Sequence, residues 1–346
     1  MSEIFLHPPF DDPAVLAIVL GPEPPFAARP GALAGFALRA DRGAVRVALA
    51  PEPGGRVEGA WADPPAAARA RLDFALRAMG AAPVGGREGE AYVFADAPGH
   101  GWPGGPRPEE RRARFAEALA EIMGHYDRRP AEEVAGLLHG IGIRALARAR
   151  GAESRTPIAL RSGLTAADVA GEAREFSYAR YFGMEEHRLR HRRFDGGTSE
   201  TIDRAVFTSG DAITVLPFDP RTGMVLLIEQ FRCGPWARRD PHPWSLETVA
   251  GRCDVTEPPE ATARREAREE AGLELGRIEE VAAFYPSPGI VAEHITAFVA
   301  EADLAAAGGV HGLAEEHEDI RALVVPLEDA LAAIETGEIN TSPLMV

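Results

Sequence analysis

The sequence predicts an α+β protein of two domains, on three observations. Its 346 residues exceed the roughly 250 that one hydrophobic core usually serves. Residues 1–98 alternate short apolar runs with Gly and Pro, whereas from residue 176 onward the apolar runs become longer and cleaner. Between 258 and 272 a run opens on two prolines, continues rich in alanine and closes on glycine, the form of one well-bounded helix.

Taken in order, the first domain (1–98) has predicted strands at 4–6, 34–38, 45–49 and 91–94, each an apolar run bounded by turn residues. Segments 12–20 and 65–79 carry apolar residues at helical spacing. The stretch 98–109 is a linker by composition. It contains Gly99-x-Gly101-x-x-Gly104, formally a dinucleotide-binding spacing, but Pro103 and Pro106 stand where the helix should open, so the linker reading is kept. Residues 109–150 read as helical with a break at Arg129-Pro130, which makes 99–175 a linker and helical connector. In the second domain (176–346), 212–218 and 224–230 flank Asp219-Pro220-Arg221-Thr222-Gly223 and predict a hairpin.

Composition removes several functions. The net charge of −16 argues against nucleic-acid binding, which depends on neutralising phosphates with basic side chains. The chain has no lysine, so all 37 basic residues are arginines. Schiff-base, Walker and kinase lysines are thereby excluded, while arginine forks remain suited to phosphate. Two cysteines, Cys233 and Cys253, are too few for a disulfide framework or a Cys-rich zinc site. The acidic start and the absence of an apolar run of about 20 residues predict a cytoplasmic protein without a membrane span.

The chemistry is concentrated at 251–273. Pro258 and Pro259 suit a first helical turn, Ala261, Ala263, Ala267 and Ala271 favour the helix interior, and Gly272 suits the residue just past its end. Glu266, Glu269 and Glu270 are spaced i, i+3, i+4, placing three carboxylates within an arc of about 100°. A solvated acidic face would explain such a run, but like charges at this spacing repel and a helix gains nothing from them without a cation. Carboxylates with no Cys or His on the same helix are hard ligands, matched to Mg²⁺ or Mn²⁺.

The string also fits the Nudix box, G-x5-E-x7-R-E-U-x-E-E-x-G-U, at all nine specified positions over 23 residues, with Ala267 as the small aliphatic member. Residues 176–346 resemble this family, and most closely its ADP-ribose pyrophosphatase branch. The resemblance is carried by Phe194 after Arg190-His191, Leu216-Pro217-Phe218-Asp219-Pro220, Ile228-Glu229-Gln230-Phe231-Arg232 and the eight residues from Trp244 to Gly251. It extends through Pro288, 16 residues past Gly272, and through the loop from His311 to Arg321.

The resemblance implies an α/β/α sandwich that hydrolyses ADP-ribose to AMP and ribose 5-phosphate with Mg²⁺ or Mn²⁺. It implies Glu266, Glu270, Glu318 and the Ala250 carbonyl as metal ligands, with Glu269 beside them in the catalytic set. Glu316 would be the general base, and Glu257 would pair with Arg265. Arg204 and Arg232 match positions that contact substrate, Tyr181 matches an aromatic stacking on adenine, and Glu247 and Glu293 match acidic positions near the substrate. His317 is read as a spacer whose side chain points away. A homodimer exchanging the segment 175–194 is implied as well, because that polar, Arg-rich segment has little apolar surface to hold it on its own core. Two alternatives stand beside this reading. One is hydrolysis of another nucleoside diphosphate sugar. The other is a non-catalytic ADP-ribose sensor, which would be expected to have lost box carboxylates that this chain keeps.

Residues 1–98 resemble, through Ile4-Phe5-Leu6 and the segments 12–21, 30–38 and 71–74, the gamma-glutamylcyclotransferase-like (AIG2-like) fold. That family's substrate loop offers backbone N–H groups, but here it reads His7-Pro8-Pro9-Phe10, and two prolines remove two donors. Its catalytic glutamate should follow Leu72-Asp73, yet Phe74-Ala75-Leu76-Arg77 stands there. The first domain is therefore expected to be a non-catalytic relic or a docking module; if it is only a docking module, the chain without residues 1–150 should still dimerise and hydrolyse ADP-ribose. The two-domain layout resembles tellurite-resistance-associated Nudix proteins, which suggests a stress setting.

Overall fold

The computed structural model describes residues 3–41, 45–86, 89–94, 100–101, 108–313 and 317–346. The chain divides into two compact units, Met1–Ser209 and Gly210–Val346. Most of the predicted linker, with Gly99 and Gly104, lies outside the described residues. None of the described helices is long and apolar enough to cross a membrane.

The first unit opens with β1 (Ile4–Leu6), α1 (Pro13–Leu20), β2 (Ala28–Ala40), β3 (Val47–Ala62), α2 (Ala66–Ala78), β4 (Ala81–Gly85), β5 (Glu90–Phe94) and the short β6 (His100–Gly101). The strands form a sheet in the order β4-β5-β1-β3-β2-β6. Alternation along each strand supplies both faces. Ile4, Leu6, Tyr92 and Phe94 join one core with Leu72 and Leu76 of α2, while Phe5, Ala91 and Val93 pack with Leu49 and Trp61 in another. Asp12 begins α1 by accepting the N–H of Ala14 at 2.8 Å.

The helical stretch is split as its Arg129-Pro130 pair predicts, into α3 (Pro108–Gly124), α4 (Ala131–Ala135) with Pro130 at its N-cap, and α5 (Leu138–Glu153). Phe115, Leu119, Val134 and Ile141 extend the first core. An antiparallel meander follows, of β7 (Val169–Ala179), β8 (Gly183–His191) and β9 (Ile202–Thr208). The expected domain start at 176 thus falls inside β7, and the compact unit continues to Ser209.

The segment 175–194 buries Phe176 and Ala179 and is held by charge as well. Glu185, 3% exposed, pairs with Arg148 of α5 and with Arg174 of β7. Burial raises the Glu185 carboxyl, but Arg148 and Arg174 outweigh it and hold the group below its ordinary value. A sequence search for hydrophobic faces does not detect this kind of anchor.

The second unit contains β10 (Ala212–Asp219), β11 (Met224–Phe231), α6 (Cys233–Ala237), β12 (Trp244–Glu247), β13 (Val249–Arg252) and α7 (Pro259–Ala271). After these come β14 (Ile278–Phe284), β15 (Ile295–Glu301), β16 (Gly309–His311), β17 (Ile320–Pro326), α8 (Leu327–Thr336) and α9 (Ser342–Met345). Its sheet runs β14-β15-β10-β11-β17-β16, with β12 added to β11 and β13 to β10. Only β10 and β15 are parallel among the described pairings of this sheet. Along β11, Leu226 and Ile228 pack with Ala263, Ala267 and Ala271 of α7, whereas Val225 and Leu227 pack with Ala330 of α8 and with Ile339. One helix therefore covers each face, an α/β/α arrangement. The predicted hairpin joins β10 to β11, and Asp219 closes it by accepting the Arg221 N–H at 2.9 Å.

Candidate active site

Helix α7 carries the acidic triplet. Pro258 is its N-cap, and Gly272 ends it in the left-handed region at φ 65°, where a Cβ would be strained. Ala263, Ala267 and Ala271 face the sheet, which turns Glu266, Glu269 and Glu270 toward one flank of the helix. There β13 runs close by. A Cβ on Gly251 would overlap the Glu266 carboxylate, so only glycine lets the strand approach this far. One residue earlier, the Ala250 N–H donates to Glu270 Oε2 at 2.9 Å.

Arg265 binds three carboxylates. Its Nε donates to Glu257 Oε2 at 3.0 Å, and one terminal nitrogen lies 2.8 Å from Glu266 and 2.7 Å from Glu269. Burial works against the guanidinium charge, but Glu266, Glu257 and Glu269 outweigh it and hold Arg265 above its ordinary range. Arg265 thereby ties the loop before α7 to the helix.

The loop after β16 joins the same flank. The Gly312 N–H reaches the Glu269 carbonyl at 3.4 Å, and Glu318 Oε2 accepts the Leu313 N–H at 3.2 Å. Glu318 acts on both helix carboxylates. Burial pushes Glu270 up to about 8, reinforced by Glu266 and Glu318 and opposed by the Ala250 N–H. Burial pushes Glu266 up to about 7, with Arg265 opposing and Glu269 and Glu318 adding to the rise. Glu316 lies outside the described residues, and His317 beside it is exposed with φ 58°.

At the end of β11, Arg232 makes a two-point fork with Glu247 of β12, at 2.8 and 2.7 Å. Burial disfavours its charge, but Glu247, with Glu270 and Glu318, raises Arg232 above its ordinary value. This pairing is absent from the sequence reading, which treats the two as separate substrate contacts; no periodicity links positions on different strands. Glu293 is half-buried in the loop before β15, next to His294, whose ring meets Tyr285 at 4.9 Å.

Tyr181 and Arg204 belong to the first unit. Tyr181 is 60% exposed in the turn between β7 and β8 and packs edge-on against Phe182. Arg204 is exposed on β9, opposite His187, and donates to the Asp203 carbonyl at 2.9 Å.

No three His, Cys, Asp or Glu side chains among the described residues converge as a ready metal cage; Glu266 is drawn to Arg265 and Glu270 to the Ala250 N–H. The donor set nevertheless fits a hard dication. It is built of carboxylate oxygens, two of them held near neutrality by burial and mutual repulsion, and a divalent ion relieves that repulsion.

Residues 208–345 match the NUDIX domain. The chain is 42% identical over 179 residues to an ADP-ribose pyrophosphatase of Escherichia coli (strain K12), a match spanning 52% of this chain and 85% of that protein. It is 38% identical over 175 residues to an ADP-ribose pyrophosphatase of Haemophilus influenzae, spanning 50% and 80%. A GDP-mannose pyrophosphatase of Citrobacter koseri is 42% identical over 140 residues, spanning 40% and 71%.

Proposed function

The chain belongs to the Nudix family, and from that premise we propose that it hydrolyses the pyrophosphate bond of ADP-ribose, giving AMP and ribose 5-phosphate. The observation that carries this reading is the complete set of box carboxylates drawn to one flank of α7 by Arg265, Gly251 and Ala250. Similarity to two ADP-ribose pyrophosphatases supports the substrate.

Glu266, Glu270, Glu318 and the Ala250 carbonyl would hold divalent ions, Mg²⁺ or Mn²⁺, whose chemistry would be to neutralise the phosphate oxygens and make a water more acidic. The protein's own groups do the rest. Glu316 takes the proton of the attacking water as its oxygen bonds to phosphorus and the bridging P–O bond breaks. Glu269, tied to Arg265, lies beside this set. Arg232, oriented by the Glu247 fork, offers its remaining N–H groups to phosphate oxygens. Tyr181 stacks on the adenine, and Arg204 and Glu293 complete the substrate contacts.

In this reading the protein is a cytoplasmic homodimer, in keeping with its two cysteines, and light scattering tests the assembly. The first unit carries a gamma-glutamylcyclotransferase-like domain that performs no transfer chemistry. In support, Asp73 is engaged by Arg69 and by the Tyr92 hydroxyl, and Phe74 after it packs on Tyr126.

The test is turnover of a panel of nucleoside diphosphate sugars with Mg²⁺. ADP-ribose is expected to give the highest kcat/KM. A preference for GDP-mannose would favour the second reading, to which the Citrobacter similarity points. Tight binding of ADP-ribose without turnover would make the protein a sensor.

A further inference from the structure

Within the first unit a network of buried charges joins the helices to the β7–β8 hairpin. Glu121 of α3 is completely buried and accepts from Arg144 at 2.5 Å and from Arg148 at 2.9 Å. These two arginines stand one turn apart on the same face of α5. Arg148 continues to Glu185 of β8, which also accepts from Arg174 at 2.8 Å and lies 3.0 Å from His187.

The hairpin's turn, residues 180–182, is held as closely as its strands. Arg129 donates to the Ala179 carbonyl at 3.1 Å, just before the turn. A Cβ on Gly140 of α5 would come 3.1 Å from the Arg180 carbonyl, and a Cβ on Gly183 would come 3.3 Å from Arg144. Gly124, at the end of α3, leaves room for Phe176, whose ring also meets His125 at 5.2 Å. Glycines at each approach and buried ion pairs between side chains are the parts of a fixed joint. Tyr181 is in the middle of that turn.

We propose that the Glu121–Arg144–Arg148–Glu185 network is a positioning device for substrate: it fixes the β7–β8 hairpin on α3 and α5 and so holds Tyr181 in place for the adenine. The proposal rests on the reading of Tyr181 as the stacking residue. The helical segment 108–153, which precedes the matched family domain, then contributes to nucleotide affinity without touching the substrate. Glu185 and Arg148 are positioning residues, and their effect passes through Tyr181.

A double-mutant cycle on the full chain tests this. Tyr181→Ala is expected to raise KM for ADP-ribose about ten-fold, the usual loss for one aromatic–base stack, with kcat within about two-fold. Glu185→Gln, equal in shape but uncharged, is expected to raise KM by a similar factor with kcat preserved. The double variant should be no worse than Tyr181→Ala alone. Arg148→Lys, which keeps the charge, should restore most of the affinity that Arg148→Gln loses. The Arg148 pair, at the rim of the network, replaces Glu185→Gln in the cycle if that variant does not fold. Multiplying effects in the double variant, or wild-type KM in both Glu185→Gln and Arg148→Gln, would overturn the joint while leaving Tyr181 as a substrate contact. Wild-type KM in Tyr181→Ala would overturn the stacking reading and the proposal with it.

Discussion

The Ala250 N–H donates to Glu270 Oε2 at 2.9 Å, so the strand that brings Gly251 to the helix also aims the most buried box carboxylate. Glu270 is 3% exposed and is pushed up to about 8. A carboxyl kept near neutrality by burial and by its neighbours is one that a dication would ionise. Glu270→Gln keeps an acceptor for Ala250 but loses the charge. Turnover at limiting Mg²⁺ is expected to fall about 100-fold or more, because an amide is a poor ligand for a hard cation. Raising Mg²⁺ should recover part of it. Wild-type turnover at limiting Mg²⁺ would remove Glu270 from the metal site.

Gly251 tests the same junction sterically. A Cβ there overlaps the Glu266 carboxylate, so Gly251→Ala must displace Glu266 or the strand. A shift of about 1 Å at a reacting centre costs about 100-fold, and kcat/KM is expected to fall by that order. The urea midpoint should change little, since the displaced group is a polar side chain at the flank of the sheet. Unchanged kcat/KM would mean that Glu266 can move without consequence.

Arg265 is shared by Glu257, Glu266 and Glu269, a geometry that suits a planar fork and not an ammonium. Arg265→Lys keeps the charge and loses the simultaneous contacts. Its apparent affinity for Mg²⁺ is expected to drop about 10–100-fold, the range for groups that orient metal ligands. A Mg²⁺ titration of activity measures it. A wild-type titration curve would reduce Arg265 to a surface ion pair.

Two glutamates compete for the part of general base. Glu269 is engaged by Arg265 at 2.7 Å, a contact that occupies the carboxylate oxygen a base would need free and leaves the assignment to Glu316. Glu316→Gln is expected to lower kcat about 10²–10⁴-fold with the Mg²⁺ titration unchanged. Glu269→Gln is expected to shift that titration instead. The reverse pattern would exchange the two roles.

Helix α7 was legible because its signals are local: prolines at the start, alanines at helical spacing, glycine at the end. The β10–β11 hairpin and the split between α3 and α4 were legible for the same reason. The Arg232–Glu247 fork was not, since it joins two strands whose register follows from sheet pairing. The Glu121–Arg144–Arg148–Glu185 network was not legible either, because a charged residue in sequence carries no mark of being buried. In the structure, cutting after 150 removes both Arg144 and Arg148 and takes from Glu185 its α5 partner.

His125 is 1% exposed, its ring lies 5.2 Å from that of Phe176, and its Nε2 has no hydrogen-bond partner among the described residues. Burial pushes it from 6.5 down to about 4, and His7, also buried, is pushed down to about 4. A histidine whose native pKa is lowered is kept neutral by the fold, while the unfolded chain takes up the proton as pH falls below 6.5. The stability these two contribute is therefore complete above pH 6.5, declines between 6.5 and 4, and is gone once the native state protonates as well. His125→Phe keeps the ring contact and abolishes the titration. In urea unfolding, the variant should match or exceed the wild type at pH 7, because an unpartnered nitrogen has been removed. It should also lose less stability than the wild type between pH 7 and 5, by roughly half of what the two histidines together cause. The carboxylates titrate equally in both proteins and cancel in the comparison. An identical fall for variant and wild type would show that His125 is protonated in the native state already.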